Sequence, residues 1–303
     1  MLQPQNILIT GASGFIGSAF LRLALERGYL ALALTRKAHN ELDMPVAPSL
    51  HWMRGPLSAP PWDRICFFQP QTCVHCAWVT TPGAYLESPE NEALVASSLE
   101  FLRGAMDIGV KRILVLGTCA EYASTDQPCV ESQTPIAPAT AYARAKNLLR
   151  VTLQGETRKR GVELVWARVF YPYGPGEAHE RLASSIIGKL SRAELVELRT
   201  PASVKDYIYC DDLARALLLV LESKFTGPIN LGTGVGVSVR EIAETLARLL
   251  GKPELIRVAP PTAEDALGSR VADSSQLRAL GWRPQVPLEA GLARLIASLK
   301  PTV

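Results

Sequence analysis

Short apolar runs separated by longer amphipathic stretches set the rhythm of this chain. Ile7-Leu8-Ile9, Tyr29–Leu34, His51-Trp52-Met53, Thr72–Cys76, Arg112–Leu116 and Val162–Val169 read as strands. Between them, Phe15–Arg27, Pro89–Ile108 and Tyr142–Arg160 carry a helical pattern. Strands alternating with helices of this length predict parallel βαβ units and an α/β architecture. The strands are apolar runs rather than strict alternations, which predicts a sheet covered on both faces.

After Arg168 the pattern changes. Tyr171–Gly176 is turn-rich, with two prolines and two glycines in six positions. A helix is expected over Asp211–Leu221, a strand over Pro228–Leu231, and a last helix over Pro287–Leu299. Ser238 caps a further helix running to Leu250, with Glu241 in the capping-box position. There is no internal repeat and no clean linker, so the C-terminal part is expected to be a lobe and not an independent domain.

The 303 residues suffice for one large α/β domain with a smaller lobe, and 48% hydrophobic residues allow a sizeable core. A net charge of +3, with no clustered basic run, argues against nucleic-acid or membrane-surface binding. The N-terminus enters a strand directly, and no apolar stretch is long enough to span a membrane. These features lead us to expect a cytoplasmic protein.

Six cysteines are present, and Cys73-Val-His-Cys76 is formally a CxxC. On a strand, residues three apart point to opposite faces. Buried, reduced thiols are therefore expected there, rather than a redox pair or a metal site.

The chain's strongest local signal is Thr10–Gly17, TGASGFIG, between the first strand and the first helix. Gly11 permits a tight turn, Gly14 lets a phosphate approach the backbone, and Gly17 lets the helix pack on the strand. The helix N-terminus then offers free N–H groups to a pyrophosphate. Gly11, Ser13, Gly14, Phe15, Ile16, Gly17 and Ala77 are expected around a dinucleotide. A second signal is Tyr142-Ala-Arg-Ala-Lys146. Residues at i and i+4 share a helix face, so a neighbouring ammonium is expected to favour the Tyr142 phenolate and make it a general acid/base. A surface Tyr and Lys on a helix is the alternative. Thr118, just past the fifth strand, stands where ligands bind in such sheets.

These motifs together resemble the extended short-chain dehydrogenase/reductases of the NAD-dependent epimerase/dehydratase group. The resemblance runs through TGASGFIG, His75-Cys-Ala77, Thr118 with Glu121-Tyr122, the Tyr142–Lys146 pair, Tyr173-Gly-Pro175, Lys205–Asp212, Asn230-Leu-Gly232 and Leu280-Gly-Trp282. It implies a doubly wound Rossmann sheet of about seven strands with a smaller C-terminal substrate lobe. The expected division is 1–168 for the dinucleotide-binding part and 169–303 for the lobe, with 210–250 returning to the sheet. It implies Thr118, Tyr142 and Lys146 as a catalytic trio: Thr118 holds the substrate oxygen, Tyr142 exchanges a proton, and Lys146 binds the nicotinamide ribose. It also implies a homodimer through Pro89–Ile108 and Tyr142–Arg160, whose outer faces carry Leu94, Phe101, Leu148 and Leu149.

Departures from the family pattern narrow the expectation. The acidic residue usual at the end of the second strand is replaced by Thr35-Arg36-Lys37. An arginine pairs with a 2′-phosphate that a carboxylate would repel, which favours NADP over NAD. Pro56 stands where an adenine-contacting aspartate is usual. Cys119-Ala120 follow Thr118 where dehydratases and decarboxylases carry acids, and Glu121 is out of register for that role. Tyr171-Pro172 replace the asparagine usual before Tyr-Gly-Pro. Lys205 lies where an arginine often meets the substrate diphosphate, the second such arginine has no match at Ala263, and Arg270 is the candidate substitute. The resulting expectation is an oxidoreductase delivering a hydride to the keto carbon of a nucleotide-activated deoxysugar, with no metal. A 4-epimerase that retains NAD, and a non-catalytic dinucleotide-sensing protein, are the alternatives.

Overall fold

The computed structural model describes residues 5–38, 47–258 and 268–299. Strands β1 (Asn6–Thr10), β2 (Leu30–Thr35), β3 (Leu50–Arg54), β4 (Thr72–His75), β5 (Arg112–Thr118) and β6 (Glu163–Val169) alternate with helices α1 (Phe15–Glu26), α2 (Trp62–Phe68), α3 (Glu90–Asp107) and α4 (Ala141–Arg160). Beyond them come β7 (Tyr171–Tyr173), α5 (Leu182–Ser191), β8 (Val196–Leu198), β9 (Val204–Lys205), β10 (Tyr207–Tyr209), α6 (Cys210–Glu222) and β11 (Gly227–Leu231). The chain continues through β12 (Val237–Ser238), α7 (Val239–Leu249), β13 (Ile256–Val258), α8 (Ser275–Ala279) and α9 (Leu288–Leu299).

Seven strands form one parallel sheet in the order β11-β6-β5-β4-β1-β2-β3. Strand order reverses between β1 and β4, and open α/β sheets bind ligands in the crevice at such a switch point. Successive β1 side chains explain the unbroken apolar run. Ile7 and Ile9 enter the core formed with α1 and α6, whereas Leu8 enters the opposite core with α3 and α4.

Local chemistry sets the helix ends. Thr140 caps α4 by accepting from the Ala143 N–H at 3.2 Å, Arg158-Lys159-Arg160 complement the C-terminal end of its dipole, and Gly161 closes it at φ 63°. Ser238 and Glu241 form the expected capping box on α7.

The C-terminal part is interleaved with the sheet. Within 210–250, α6 and β11 join the large sheet, while α7 packs with α5 and α9 in a separate apolar core. On α3 and α4, Phe101 and Leu149 are turned into the core and Leu94 is half-buried. Leu148 (56% exposed) and Val151 (53%) face outward.

Candidate active site

At the C-terminal ends of β1, β2, β4 and β5 the chain leaves two chambers of about 750 and 220 Å³ that share Gly11, Gly14, Cys76, Trp78, Thr80 and Ala178. The glycine turn forms their common wall. Gly11 has φ 66°, and a Cβ there would stand 2.6 Å from the Ala77 nitrogen. A Cβ on Gly17 would stand 2.2 Å from the Gly11 carbonyl oxygen. The turn therefore tolerates no side chain at either position, as a backbone cradle for a pyrophosphate requires. Phe15, Ile16 and Gly17 line the smaller chamber, and Ser13 and Ala77 line the larger one.

The larger chamber ends at β2 and β3. Ser13 and Thr35 share a hydroxyl–hydroxyl hydrogen bond of 2.8 Å, which ties the glycine turn to the end of β2. The Lys37 N–H donates to the Thr35 hydroxyl at 3.1 Å. Arg36, Lys37, Pro56 and Ser58 line this end, so two cations stand where the family pattern places a carboxylate.

The smaller chamber holds Thr118, Tyr142 and Lys146 together. Thr118 ends β5 and Tyr142 lies in the first turn of α4, and the Thr118 side chain favours the Tyr142 phenolate against its burial. The rim is aromatic: Tyr142 meets Tyr85 edge-on at 5.0 Å between centroids and Trp78 at 6.3 Å. The Trp78 indole is fixed by its N–H, which donates to the Asn91 side chain at 3.0 Å.

One expectation is corrected here. The spacing to Lys146 predicted a Tyr142 pKa below its ordinary value, and burial instead pushes the phenol well above it. The ammonium donates to the Leu116 carbonyl at 2.8 Å and sits 3.8 Å from the Trp78 ring centroid. Burial also draws Lys146 down to about 7, a shift that the Glu121 charge opposes. Desolvation disfavours both ionised forms.

Glu121 is fully buried and turned away from the chamber. Its carboxylate accepts from the Thr118 N–H (3.0 Å), the Trp166 indole N–H (2.8 Å) and Arg168 Nε (3.0 Å). The neighbours of Thr118 that do line the chamber are Cys119 and Ala120. Among the described residues lining it there is no carboxylate.

The substrate-side expectations divide. Tyr171 lines the chamber. Arg270 does not: it is buried, donates to the carbonyls of Cys119 (3.1 Å) and Tyr122 (2.9 Å), and so pins the turn after Thr118. Lys205 donates to the Gly268 carbonyl and lies 5.3 Å from the Tyr171 ring centroid, also outside the lining. Ala263 falls outside the described residues. Sequence reasoning missed Trp78, Tyr85 and Arg181, which do line the chamber. Each reaches it through a loop or helix start whose path no local pattern encodes.

Cys73 is buried in the α3/α4 core and Cys76 lines both chambers, so the CxxC faces diverge and both are free thiols. Among the described residues there is no group of three or more His, Cys, Asp or Glu able to hold a metal ion. No described helix is long and apolar enough to cross a membrane.

Residues 7–232 match the model of the NAD dependent epimerase/dehydratase family. Similar proteins include UDP-glucuronic acid decarboxylase 6 of Arabidopsis thaliana, 28% identical over 307 residues covering 95% of this chain and 87% of that one. The dTDP-4-dehydro-6-deoxy-D-allose reductase of a Streptomyces species is 28% identical over 312 residues, covering 95% and 94%. Among solved structures, the UDP-glucose 4-epimerase of Thermus thermophilus in complex with NAD matches with a TM-score of 0.87 at 26% identity, over 99% of this chain and 100% of that one. With the glycine turn, the Tyr142–Lys146 pair and the seven-stranded sheet in place, the chain belongs to the NAD-dependent epimerase/dehydratase family of extended short-chain dehydrogenase/reductases.

Proposed function

We propose that this enzyme is an NADP(H)-dependent reductase of a nucleotide-activated 4-keto-deoxysugar. The observation that carries the reading is the composition of the smaller chamber: a Thr–Tyr–Lys trio with no carboxylate among its described lining residues. Elimination needs a base for a carbon-bound proton and an acid for the leaving group, and Cys119 and Ala120 offer neither, the Cys119 thiol being pushed up to about 12 by burial. Carbonyl reduction needs one proton donor and one hydrogen bond to the oxygen. Tyr142 supplies the proton and Thr118 holds the oxygen. Lys146, ammonium forward, binds the nicotinamide ribose and steadies the phenolate. When bound, the dinucleotide supplies the hydride.

The cofactor preference rests on Arg36 and Lys37 at the end of the larger chamber. Nucleotide-sugar chemistry rests on the relatives, which are named for UDP- and dTDP-sugars. The C-terminal lobe built around α5, α7 and α9 receives the substrate, and Tyr171 lines the smaller chamber beside it. Leu148 and Val151 on α4 support a homodimer through α3 and α4, and six free thiols suit a reducing cytoplasm.

Thermal shift with NADPH, NADH and a panel of nucleoside diphosphates tests the reading. A ligand at a hundred times its Kd adds ~2.7 kcal/mol. NADPH should raise Tm more than NADH, and UDP or dTDP should add a further rise. A shift with neither dinucleotide would overturn it.

A further inference from the structure

We infer that Glu121 is a positioning residue for this reaction: its carboxylate fixes the backbone that presents the Thr118 hydroxyl, and its charge is the buried counter-charge of the Lys146 ammonium. The inference rests on the catalytic roles proposed above for Thr118 and Lys146.

The first half is geometric. Glu121 accepts from the Thr118 N–H at 3.0 Å while the Thr118 hydroxyl accepts from the Ala120 N–H at 3.2 Å, a reciprocal capping box that closes the turn at the end of β5. The hydroxyl is thereby held in the chamber that Tyr142 also lines, where the Thr118 side chain favours the phenolate against burial. Glu121 is itself held from behind by β6: Trp166 and Arg168 both donate to it, and Arg168 is further fixed by the Tyr122 hydroxyl at 2.8 Å. Gly117 leaves the room this needs, since a Cβ there would stand 2.2 Å from the Trp166 indole nitrogen and 2.9 Å from a Glu121 carboxylate oxygen.

The second half is electrostatic. Lys146 precedes Arg150 by one turn on α4, and Arg150 reaches Glu121 at 3.7 Å, so the same carboxylate lies alongside that helix face. Apart from Arg150, the other titratable groups beside Lys146 carry no charge near neutral pH. Burial pushes the Cys76 thiol up to about 12 and His75 down to about 3, and Tyr142 is raised by burial. Facing Glu121 are Arg168 from β6, Arg150, Lys146 and Tyr142 from α4, with Trp166 uncharged. Glu121 thus provides the negative charge that opposes the desolvation of Lys146.

The test is an NMR titration of the Lys146 ε-nitrogen in the ligand-free protein, assigned with Lys146→Met. In Glu121→Gln, which keeps the side-chain shape and an acceptor for the Thr118 N–H, the Lys146 midpoint should fall by about one pH unit or more. The basic limb of kcat should move with it, with KM changed little. In Arg150→Met, which removes a partly exposed cation and leaves the Glu121–Arg168 pair intact, the midpoint should rise. This second variant carries the test if Glu121→Gln does not fold. A Lys146 midpoint unmoved in the folded variants, whatever their Tm, would overturn the inference. Because the titration needs no substrate, it stands apart from the reductase reading, which fails separately if the wild type oxidises no NADPH.

Discussion

The Lys146 ammonium lies 3.8 Å from the Trp78 ring centroid and donates to the Leu116 carbonyl at 2.8 Å. Indole and ammonium thereby hold each other at the junction of the two chambers. A cation over an indole face is attracted by the ring's negative quadrupole, yet burial still draws Lys146 down to about 7. The proposed chemistry needs the ammonium, so its loss on raising the pH removes activity. We expect kcat/KM, which reports the free enzyme, to fall as pH rises through about 7. A profile flat between pH 6 and 9 would contradict this assignment.

Tyr142→Phe removes the proposed proton donor and leaves the hydrophobic ring in place against Tyr85 and Trp78. Turnover should drop ~10²–10⁴-fold, the usual weight of general acid catalysis, while NADPH affinity stays within about threefold, because the phenol adds little to ground-state binding. Single-turnover kinetics together with a fluorescence titration separate the two. Lys146→Ala should damage both quantities.

Arg36→Ala removes a cation from the end of the larger chamber. A charge-assisted hydrogen bond is worth ~1.5–3 kcal/mol, so NADPH affinity should fall by roughly ten- to a hundredfold, and NADH affinity should barely change. Equal wild-type dissociation constants for the two dinucleotides would remove the basis for the 2′-phosphate contact.

What the sequence showed and what it hid have a common physical basis. The strands of the sheet were legible because each is an apolar run, and α1, α3 and α4 because each has its own period, all local properties; the seven-residue α2 (Trp62–Phe68) was not. The glycine turn was legible because its spacing encodes a steric demand that Gly11 and Gly17 meet. Short strands such as Tyr171–Tyr173 and Val204–Lys205 were not legible, because they exist only through pairing with distant partners. The direction of a long side chain was equally hidden. Arg270 looked like a diphosphate ligand by position, but its guanidinium is used on two carbonyls. The pKa of Tyr142 was misjudged because i, i+4 spacing brings a cation near but says nothing of the water excluded around both groups.

His75 gives a stability prediction with a definite sign. It is fully buried between the Thr10 hydroxyl (2.8 Å) and the Ser98 hydroxyl (3.0 Å), and burial lowers its pKa to about 3. Below pH 6.5 the unfolded chain takes up a proton that the folded protein refuses, so stability falls as the pH drops from 6.5 towards 3. By pH 5 the loss from this group is ~2 kcal/mol. His75→Gln should lower Tm at pH 7 and narrow the gap between Tm at pH 7 and at pH 5. A gap as wide as in the wild type would assign the acid sensitivity to other groups.

The central claim is carbonyl reduction with net use of the cofactor, and its most direct test is stoichiometry. Purified enzyme mixed with NADPH and a 4-keto-6-deoxy nucleotide sugar should lose NADPH absorbance at 340 nm in a one-to-one ratio with the reduced sugar formed, since each turnover consumes one dinucleotide. Purified protein that instead carries tightly held NAD, and interconverts two nucleotide-sugar 4-epimers without net change in cofactor, would contradict the reductase reading and make the enzyme an epimerase.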